Sequence, residues 1–303
     1  MRFQDLTSTE PLTRLGIFIG QHLSRRAGYG LARMAASAIA CWKPSVYRTV
    51  QANLRQILGS QADDEAVHRM ARQVFFHAGQ TYYDFFQAIG QPANVLARAV
   101  QVPKSLINQI KAGMPAGRGV LLLVSHMSNF DLAGLAVGAH GLPIQALSLA
   151  NPVSGFRVLN RLRIEGGYEV TPVSPESLRA AIRRLKAGGT VVTGVDRPVP
   201  QDRTVVEFFG RPAYMPSGPA RMALLTRATV LVGSCSFDPA TGYRLECTGP
   251  IEIVRTGNRQ QDIAENTRRL AGILEEYVRA HPEQWMMFHP FWPDLPDIRD
   301  SCA

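Results

Sequence analysis

The chain has 303 residues, 46% of them hydrophobic and 19% charged, the balance of a globular protein with a substantial core in one large domain or two smaller ones. Thirty-three Lys and Arg against 24 Asp and Glu leave a formal charge of +9, which favours an anionic partner: nucleic acid, an anionic membrane surface or a phosphorylated substrate. Four cysteines (Cys41, Cys235, Cys247, Cys302) without CxxC spacing argue against a disulfide scaffold and suit a reducing compartment, with Cys41 and Cys235 read as small core residues and a Cys235–Cys247 bridge disfavoured.

Residues 1–10 are polar, and no compact apolar run with a cleavage site follows, so no cleavable leader is expected. Residues 12–42 mix Leu15, Phe18, Leu31, Met34 and Trp42 with Arg14, Arg25, Arg26, Arg33 and Lys43. Gly28-Tyr29-Gly30 is expected to divide this segment into two helices. Such a basic, amphipathic pair reads either as an interfacial membrane anchor or as helices packed on the main domain. Asp63-Asp64-Glu65 places acid in the first turn of a further helix. That helix carries Phe75, Phe76, Tyr82, Tyr83, Phe85 and Phe86, a density that suits core packing before it suits the wall of an apolar groove.

From Gly119 the pattern changes. Val120-Leu121-Leu122-Leu123-Val124 is a continuous apolar run, as expected of a strand covered on both faces. Similar runs recur at 144–149, 191–195 and 230–233, with a weaker one at 169–173. The stretch 132–156 is free of charge, but Gly141-Leu142-Pro143, His140 and Gln145 argue against a lipid-exposed span.

Between the strands lies a helix over 174–186, with Ser174 as N-cap, Pro175 in its first turn and Gly188 beyond its end. A ribbon at 243–254 and a long helix at 262–280 follow. Strands alternating with helices predict an α/β fold, a largely parallel twisted sheet flanked by helices. The expected organisation is a helical, amphipathic N-terminal region over 1–100 and an α/β core over 101–303, continuous as one domain.

One constellation carries chemistry. In Val124-Ser125-His126-Met127-Ser128-Asn129-Phe130-Asp131 a histidine follows a buried strand, and a carboxylate stands five positions later. Open α/β sheets gather catalytic groups beyond the carboxyl ends of their strands. An imidazole can take a proton from an attacking hydroxyl near neutral pH, and a carboxylate can fix its tautomer. Without a second His one turn away or a Cys/His cluster, a metal site is not expected.

Further blocks stand in order: Asn160-Arg161-Leu162-Arg163, then Gly194-Val195-Asp196-Arg197-Pro198, Val206-Glu207-Phe208-Phe209-Gly210 and Pro282-Glu283-Gln284-Trp285-Met286-Met287-Phe288. Together with the His126 block they make the region from about 105 to 293 resemble the lysophospholipid acyltransferase superfamily with its His-x4-Asp/Glu motif. More closely, it resembles the late acyltransferases of lipid A biosynthesis and the mycobacterial phosphatidylinositol mannoside acyltransferases. The resemblance implies a glycerolipid acyltransferase-like fold and direct transfer of an acyl group, from acyl-CoA or acyl-ACP, to a hydroxyl of a lipid or glycolipid acceptor. His126 would be the general base and Asp131 its partner. Arg163, with Arg161 as alternative, would stabilise the oxyanion. Asp196, Arg197, Glu207 and Asn129 would bind the acceptor or support the site. No Gly-x-Ser-x-Gly elbow is present, in line with an acceptor oxygen that is itself the nucleophile.

No cofactor is implied. The expected location is the cytoplasmic face of the cell membrane, as a peripheral protein on an anionic surface, with no nucleic acid partner. A simple lysophospholipid acceptor, a basic nucleic-acid-binding protein and a non-catalytic lipid-binding protein are the competing readings.

Overall fold

A computed structural model describes residues 9–59, 61–113, 116–150, 152, 154–197 and 202–292. Residues 1–8, Pro198, Pro293 and Cys302 lie outside the described residues.

The N-terminal region is helical: α1 (Glu10–His22), α2 (Arg25–Trp42), α3 (Ser45–Leu58), α4 (Asp64–Ala88) and the short α5 (Ala93–Ala99). The break expected at Gly28-Tyr29-Gly30 falls instead at Leu23-Ser24, where the Ser24 hydroxyl caps α2 by accepting from the Ala27 N–H. Gly28 sits inside α2, and a Cβ there would come within 2.2 Å of the Tyr83 ring on α4. The glycine permits close helix contact, which outweighs its poor helix propensity. Gly28, Ala32, Ala36 and Ala40, one turn apart, form the buried face of α2. Cys41, next to this face, is exposed rather than part of the core.

The α/β part runs β1 (Val100–Gln101), α6 (Lys104–Gly113), β2 (Val120–Val124), α7 (Phe130–Gly138), β3 (Ile144–Ser148), α8 (Ser154–Glu165), β4 (Glu169–Pro172), α9 (Pro175–Lys186) and β5 (Thr190–Gly194). It continues with β6 (Arg203–Phe208), β7 (Arg211–Pro216), α10 (Gly218–Thr226), β8 (Thr229–Asp238), β9 (Gly242–Thr248), α11 (Arg259–Ala280) and a 3-10 turn at Pro282–Gln284. Seven strands form one sheet in the order β1-β9-β8-β2-β5-β3-β4. Every neighbouring pair is parallel except β8 with β9.

The apolar run of β2 follows from its central place. Leu121 and Leu123 pack with Leu185, Val191 and Leu274 on one face, while Val120 and Leu122 meet Leu132, Val137 and Ile110 on the other. With both faces covered, no polar position is left for the strand to show. Helix α9 has its Ser174 cap, the hydroxyl accepting from Ser177 N–H, strengthened by the reciprocal bond in which Ser174 N–H donates to the Ser177 hydroxyl. Helix α11 begins a turn earlier than the periodicity predicts, at Arg259, because the Asn258 side chain caps it. The expected ribbon 243–254 is a strand only as far as Thr248. Cys235 and Cys247 lie on the paired strands β8 and β9, out of register with each other, and are free thiols.

Separate from the main sheet, β6 and β7 form a hairpin closed by Phe209-Gly210, both at positive φ, as a two-residue hairpin turn of this hand requires. Among the described residues no helix is long and apolar enough to cross a membrane.

Candidate active site

Parallel pairing of β2 with β5 builds the site. Val124 and Gly194 are register partners at the carboxyl ends of these strands. Two residues further on, each strand presents a polar side chain, His126 from one and Asp196 from the other. Equal offsets from a register pair bring the two together. His126 Nδ1 lies 2.5 Å from Asp196 Oδ1, and the His126 backbone N–H donates to Asp196 Oδ2 at 2.9 Å. The Trp285 indole N–H donates to the same Oδ2 at 3.1 Å, so a fully buried carboxylate is held by three donors.

The turn after His126 is tied down by the C-terminal segment. Met286 N–H donates to the His126 carbonyl at 3.1 Å, Ser128 N–H donates to the Gln284 carbonyl at 2.8 Å, and Met127 bridges Trp285 in antiparallel fashion. Ser128 occupies the left-handed region at φ 45, uncommon outside glycine and supported here by that hydrogen bond. Asn129 then caps α7, its Oδ1 accepting from Leu132 N–H while its Nδ2 donates to the Thr81 carbonyl of α4.

Asp131 was expected to hold the imidazole. The carboxylate in contact is Asp196 instead, because the register of β2 with β5 fixes that pair, whereas Asp131 turns with α7 toward α8. There Asp131 takes a bidentate grip on Arg163, from Nε at 2.8 Å and Nη2 at 3.0 Å, the strong geometry for this pair. Arg163 Nη1 also donates to Asn160 Oδ1 at 2.6 Å. The spacing Asn160-x-x-Arg163 puts both on one face of α8.

The electrostatics follow from this packing. Burial lowers the His126 pKa below its ordinary 6.5, and the charge of Arg197 lowers it further, against the opposing pull of Asp196. Burial alone would raise the Asp196 carboxyl, but His126, by charge and hydrogen bond, and Arg197 hold it down at about 2. The consistent state at neutral pH is an ionised Asp196 accepting from Nδ1–H of a neutral imidazole, which leaves the Nε2 lone pair free. Gly194 gives the ring room, since a Cβ there would lie 3.0 Å from His126 Cε1. Phe130 stands edge-on to the imidazole, with centroids 4.9 Å apart.

A cavity of about 790 Å³ opens at this point, within the range of ligand sites. Strand β5 pairs with β2 as far as Gly194 but with β3 only as far as Val192. The carboxyl ends of β3 and β5 therefore part, and Leu147, Ser148, Thr193 and Gly194 line the cavity in that gap. His126, Asp131, Arg163 and Arg197 supply its polar wall, and residues such as Val124, Ile144, Tyr168, Leu178 and Ile182 its apolar one.

Of the other expected residues, Arg197 lines the cavity, donates from Nη2 to the Met286 carbonyl, and has a buried Nε without an acceptor among the described residues. Arg161 is exposed on the outer side of α8 and does not line the cavity. Glu207 is likewise exposed: along β6, Val206 and Phe208 point inward and Glu207 between them points out. Asn129 is wholly buried and serves the turn, not the cavity wall.

Sequence reasoning missed Trp285 as a donor to Asp196. Its place in a block shared with the resembling families was the available signal. It missed Tyr168 and Phe130 as wall residues because nothing in their local pattern distinguishes them from core aromatics. Among the described residues no group of three His, Cys, Asp or Glu side chains converges as a metal site would.

The model of the family described as bacterial lipid A biosynthesis acyltransferase matches residues 12–293. The chain belongs to this family. It is an acyltransferase enzyme. Among curated relatives, the phosphatidylinositol mannoside acyltransferase of Mycobacterium tuberculosis CDC 1551 / Oshkosh is 28% identical over 232 residues, covering 74% of this chain and 69% of that protein. The protein of the same description from strain H37Rv is 29% identical over 215 residues, 68% of this chain and 64% of its own length. The one from Mycolicibacterium smegmatis is 26% identical over 198 residues, 64% of this chain and 63% of its own. A solved structure of the 1-acyl-sn-glycerophosphate acyltransferase PlsC from Thermotoga maritima covers 83% of this acyltransferase and 98% of its own chain, at a TM-score of 0.32 and 16% identity.

Proposed function

We propose that this acyltransferase works at a membrane surface and moves a long-chain fatty acyl group from an acyl-CoA or acyl-ACP thioester to a hydroxyl of a glycolipid acceptor. The observation that carries the reading is the contact of His126 Nδ1 with Asp196 at the edge of a cavity that His126 lines. In the proposed step Nε2 takes the proton of the acceptor hydroxyl as its oxygen attacks the thioester carbonyl. The tetrahedral intermediate collapses with cleavage of the C–S bond, and the imidazolium returns its proton to the departing thiolate. Asp196 orients the ring and stabilises the imidazolium. The guanidiniums of Arg163 and Arg197 at the cavity wall supply positive charge for the oxyanion, and Asp131 holds Arg163 in place. The apolar wall suits the acyl chain.

Membrane-surface action is supported by the inverted polarity of the N-terminal helices. Helix α2 buries Gly28, Ala32, Ala36 and Ala40 while Leu31, Met34 and Trp42 stay exposed, Trp42 at 80%. Helix α1 exposes Leu12, Leu15 and Phe18. Large apolar side chains facing outward beside Arg14, Arg25, Arg26 and Arg33 suit the boundary between acyl chains and anionic headgroups. The glycolipid acceptor is inferred from the phosphatidylinositol mannoside acyltransferase relatives.

A mass-spectrometric product assay tests the whole reading, with CoA and ACP thioesters of several chain lengths against glycolipid and lysophospholipid acceptors. The expected product is an ester on a glycolipid hydroxyl, lost in His126→Ala. Transfer that persists in that variant would sink the mechanism, and acylation of lysophospholipids alone would sink the acceptor.

A further inference from the structure

A second cavity, of about 390 Å³, shares no lining residue with the one at His126. One wall is a single face of α3, where Ser45, Arg48, Thr49 and Gln56 follow one another at helical spacing. Arg211, at the start of β7, and Trp292 of the C-terminal segment supply the other two walls. The three walls are tied to one another in pairs. Gln56 Nε2 donates to the Phe209 carbonyl at 2.7 Å, which fixes α3 to the hairpin of β6 and β7. The Trp292 indole N–H donates to the Phe208 carbonyl at 3.1 Å, which fixes the C-terminal segment to the same hairpin. Asn53, the buried member of the lining, donates to the Met287 and His289 carbonyls at 3.1 and 2.8 Å and accepts from Phe291 N–H at 3.1 Å. That joins α3 to the C-terminal segment and closes the frame. A concavity held on every side by its own hydrogen bonds is formed before a ligand arrives, so little ordering cost falls on binding.

The charge of this cavity is unbalanced. Arg48 Nη1 donates to the Lys43 carbonyl at 2.9 Å, and Arg211 Nη1 donates to Gln56 Oε1 at 3.4 Å. Both acceptors are neutral, and neither guanidinium has an ion pair among the described residues. No Asp or Glu stands among the described lining residues. The neighbouring arginines differ: Arg55 on the same helix pairs with Asp64, Arg69 pairs with Glu65, and Arg163 in the larger cavity pairs with Asp131. Two guanidiniums with N–H groups to spare, in one preformed concavity, match the oxygens of a phosphate. The position of the cavity narrows the source. Lys43, whose carbonyl holds Arg48, directly follows the exposed Trp42 at the end of α2, the residue proposed to enter a membrane surface. A basic cavity beside such an aromatic lies at the level of lipid headgroups.

We propose that this cavity binds the phosphate of an anionic phospholipid headgroup, with Arg48 and Arg211 holding the phosphate oxygens. The lipid bound there is a docking partner and not a substrate, because its site is separate from the cavity that His126 lines. The proposal rests on the membrane-surface reading for the source of the phosphate, but not for the phosphate site itself.

The test uses the full chain, with the Trp292 indole N–H followed by NMR as a reporter in the cavity wall. The probes are dihexanoyl phosphatidylglycerol below its micelle-forming concentration, dihexanoyl phosphatidylcholine, and inorganic phosphate. The parent chain is expected to show a saturable shift of the Trp292 signal with phosphatidylglycerol, at an affinity roughly fivefold or more above that for phosphatidylcholine. Arg48→Gln/Arg211→Gln, at two exposed positions, should weaken phosphatidylglycerol binding roughly tenfold or more. Arg48→Lys/Arg211→Lys should recover part of the loss, since the charge returns without the planar fork. Arg55→Gln, outside the cavity, should leave the affinity unchanged. Absence of a saturable shift, or the same affinity in the double Gln variant, would overturn the site. Inorganic phosphate binding as tightly as phosphatidylglycerol would overturn the headgroup assignment in favour of free phosphate. Flotation with phosphatidylglycerol vesicles separates the two readings. If the parent chain does not float but the short-chain lipid binds through Arg48 and Arg211, the headgroup site stands and membrane-surface action falls.

Discussion

The two ends of the molecule put their apolar residues on opposite sides. In the sheet, large side chains such as Leu121, Leu123, Leu185 and Leu274 face inward and polar ones collect at the carboxyl edge, where His126 and Asp196 stand. In α1 and α2 the small residues face the protein, and Leu15, Phe18, Met34 and Trp42 face outward. The first arrangement lowers free energy in water by taking apolar area out of it. The second leaves that area in water, and is favourable only where another apolar phase covers it. On the proposed reading the contrast separates the part of the chain that fixes chemistry from the part that meets a membrane surface, and each side can be broken while the other stays intact.

The largest effect is expected at the sheet edge. His126→Ala should lower kcat by roughly 10³-fold or more, in the upper range for loss of a general base, with vesicle binding unchanged in a flotation assay. Asp196→Asn should follow, at roughly 10²-fold or more, because the amide no longer favours the Nδ1–H tautomer. It should also lower the His126 pKa further, as an opposing negative charge is removed. Asp131→Asn is the informative control. It leaves the Nδ1 contact in place and loosens Arg163, so the acid limb of its pH profile should move less than that of Asp196→Asn.

The pH profile gives the next test. A base works when neutral, so the rate falls as pH drops through the His126 pKa. Burial and Arg197 hold that pKa below 6.5, so the acid limb of kcat/KM should lie on the acid side of free imidazole. Arg197→Met removes a neighbouring positive charge and should shift the limb upward, toward higher pH. A limb that shifts down, or stays still, would remove Arg197 from the electrostatics of the site.

On the helical side, Gly28→Leu should destabilise the chain by about 1–3 kcal/mol, the usual cost of overpacking, since the side chain would collide with Tyr83. Thermal unfolding would register it. The smallest effect on the fold belongs to Met34→Gln/Trp42→Gln, two exposed positions where Tm should change by no more than the equivalent of about 0.5 kcal/mol. Binding to anionic vesicles should weaken clearly. Undiminished binding would return α1 and α2 to a packing role.

Much of this molecule was legible in the order of its residues. The unbroken apolar run 120–124 implied a strand covered on both faces, because a strand that shows one face to water must alternate. Ser174 and Pro175 located a helix start because a cap is a local device, made within one turn of chain. His126 was legible for the same reason: a polar residue straight after a buried strand has one exit, the sheet edge. Gly28 misled because its role is set by a neighbour, Tyr83, fifty-five positions away, and a glycine that permits close packing is spelled like one that breaks a helix.

What only the tertiary structure decided is the partner of each charge. Sequence spacing offered Asp131 to His126, but spacing along a chain measures reach only within a turn or a helix. The pairing of His126 with Asp196 comes from the register of β2 against β5, seventy residues apart in sequence, and the release of Asp131 to Arg163 comes from the approach of α7 to α8. The sequence determined that a histidine stands at the end of a central strand of an acyltransferase. Which carboxylate orients it depends on which strands lie side by side, a property of the sheet and not of any segment in it.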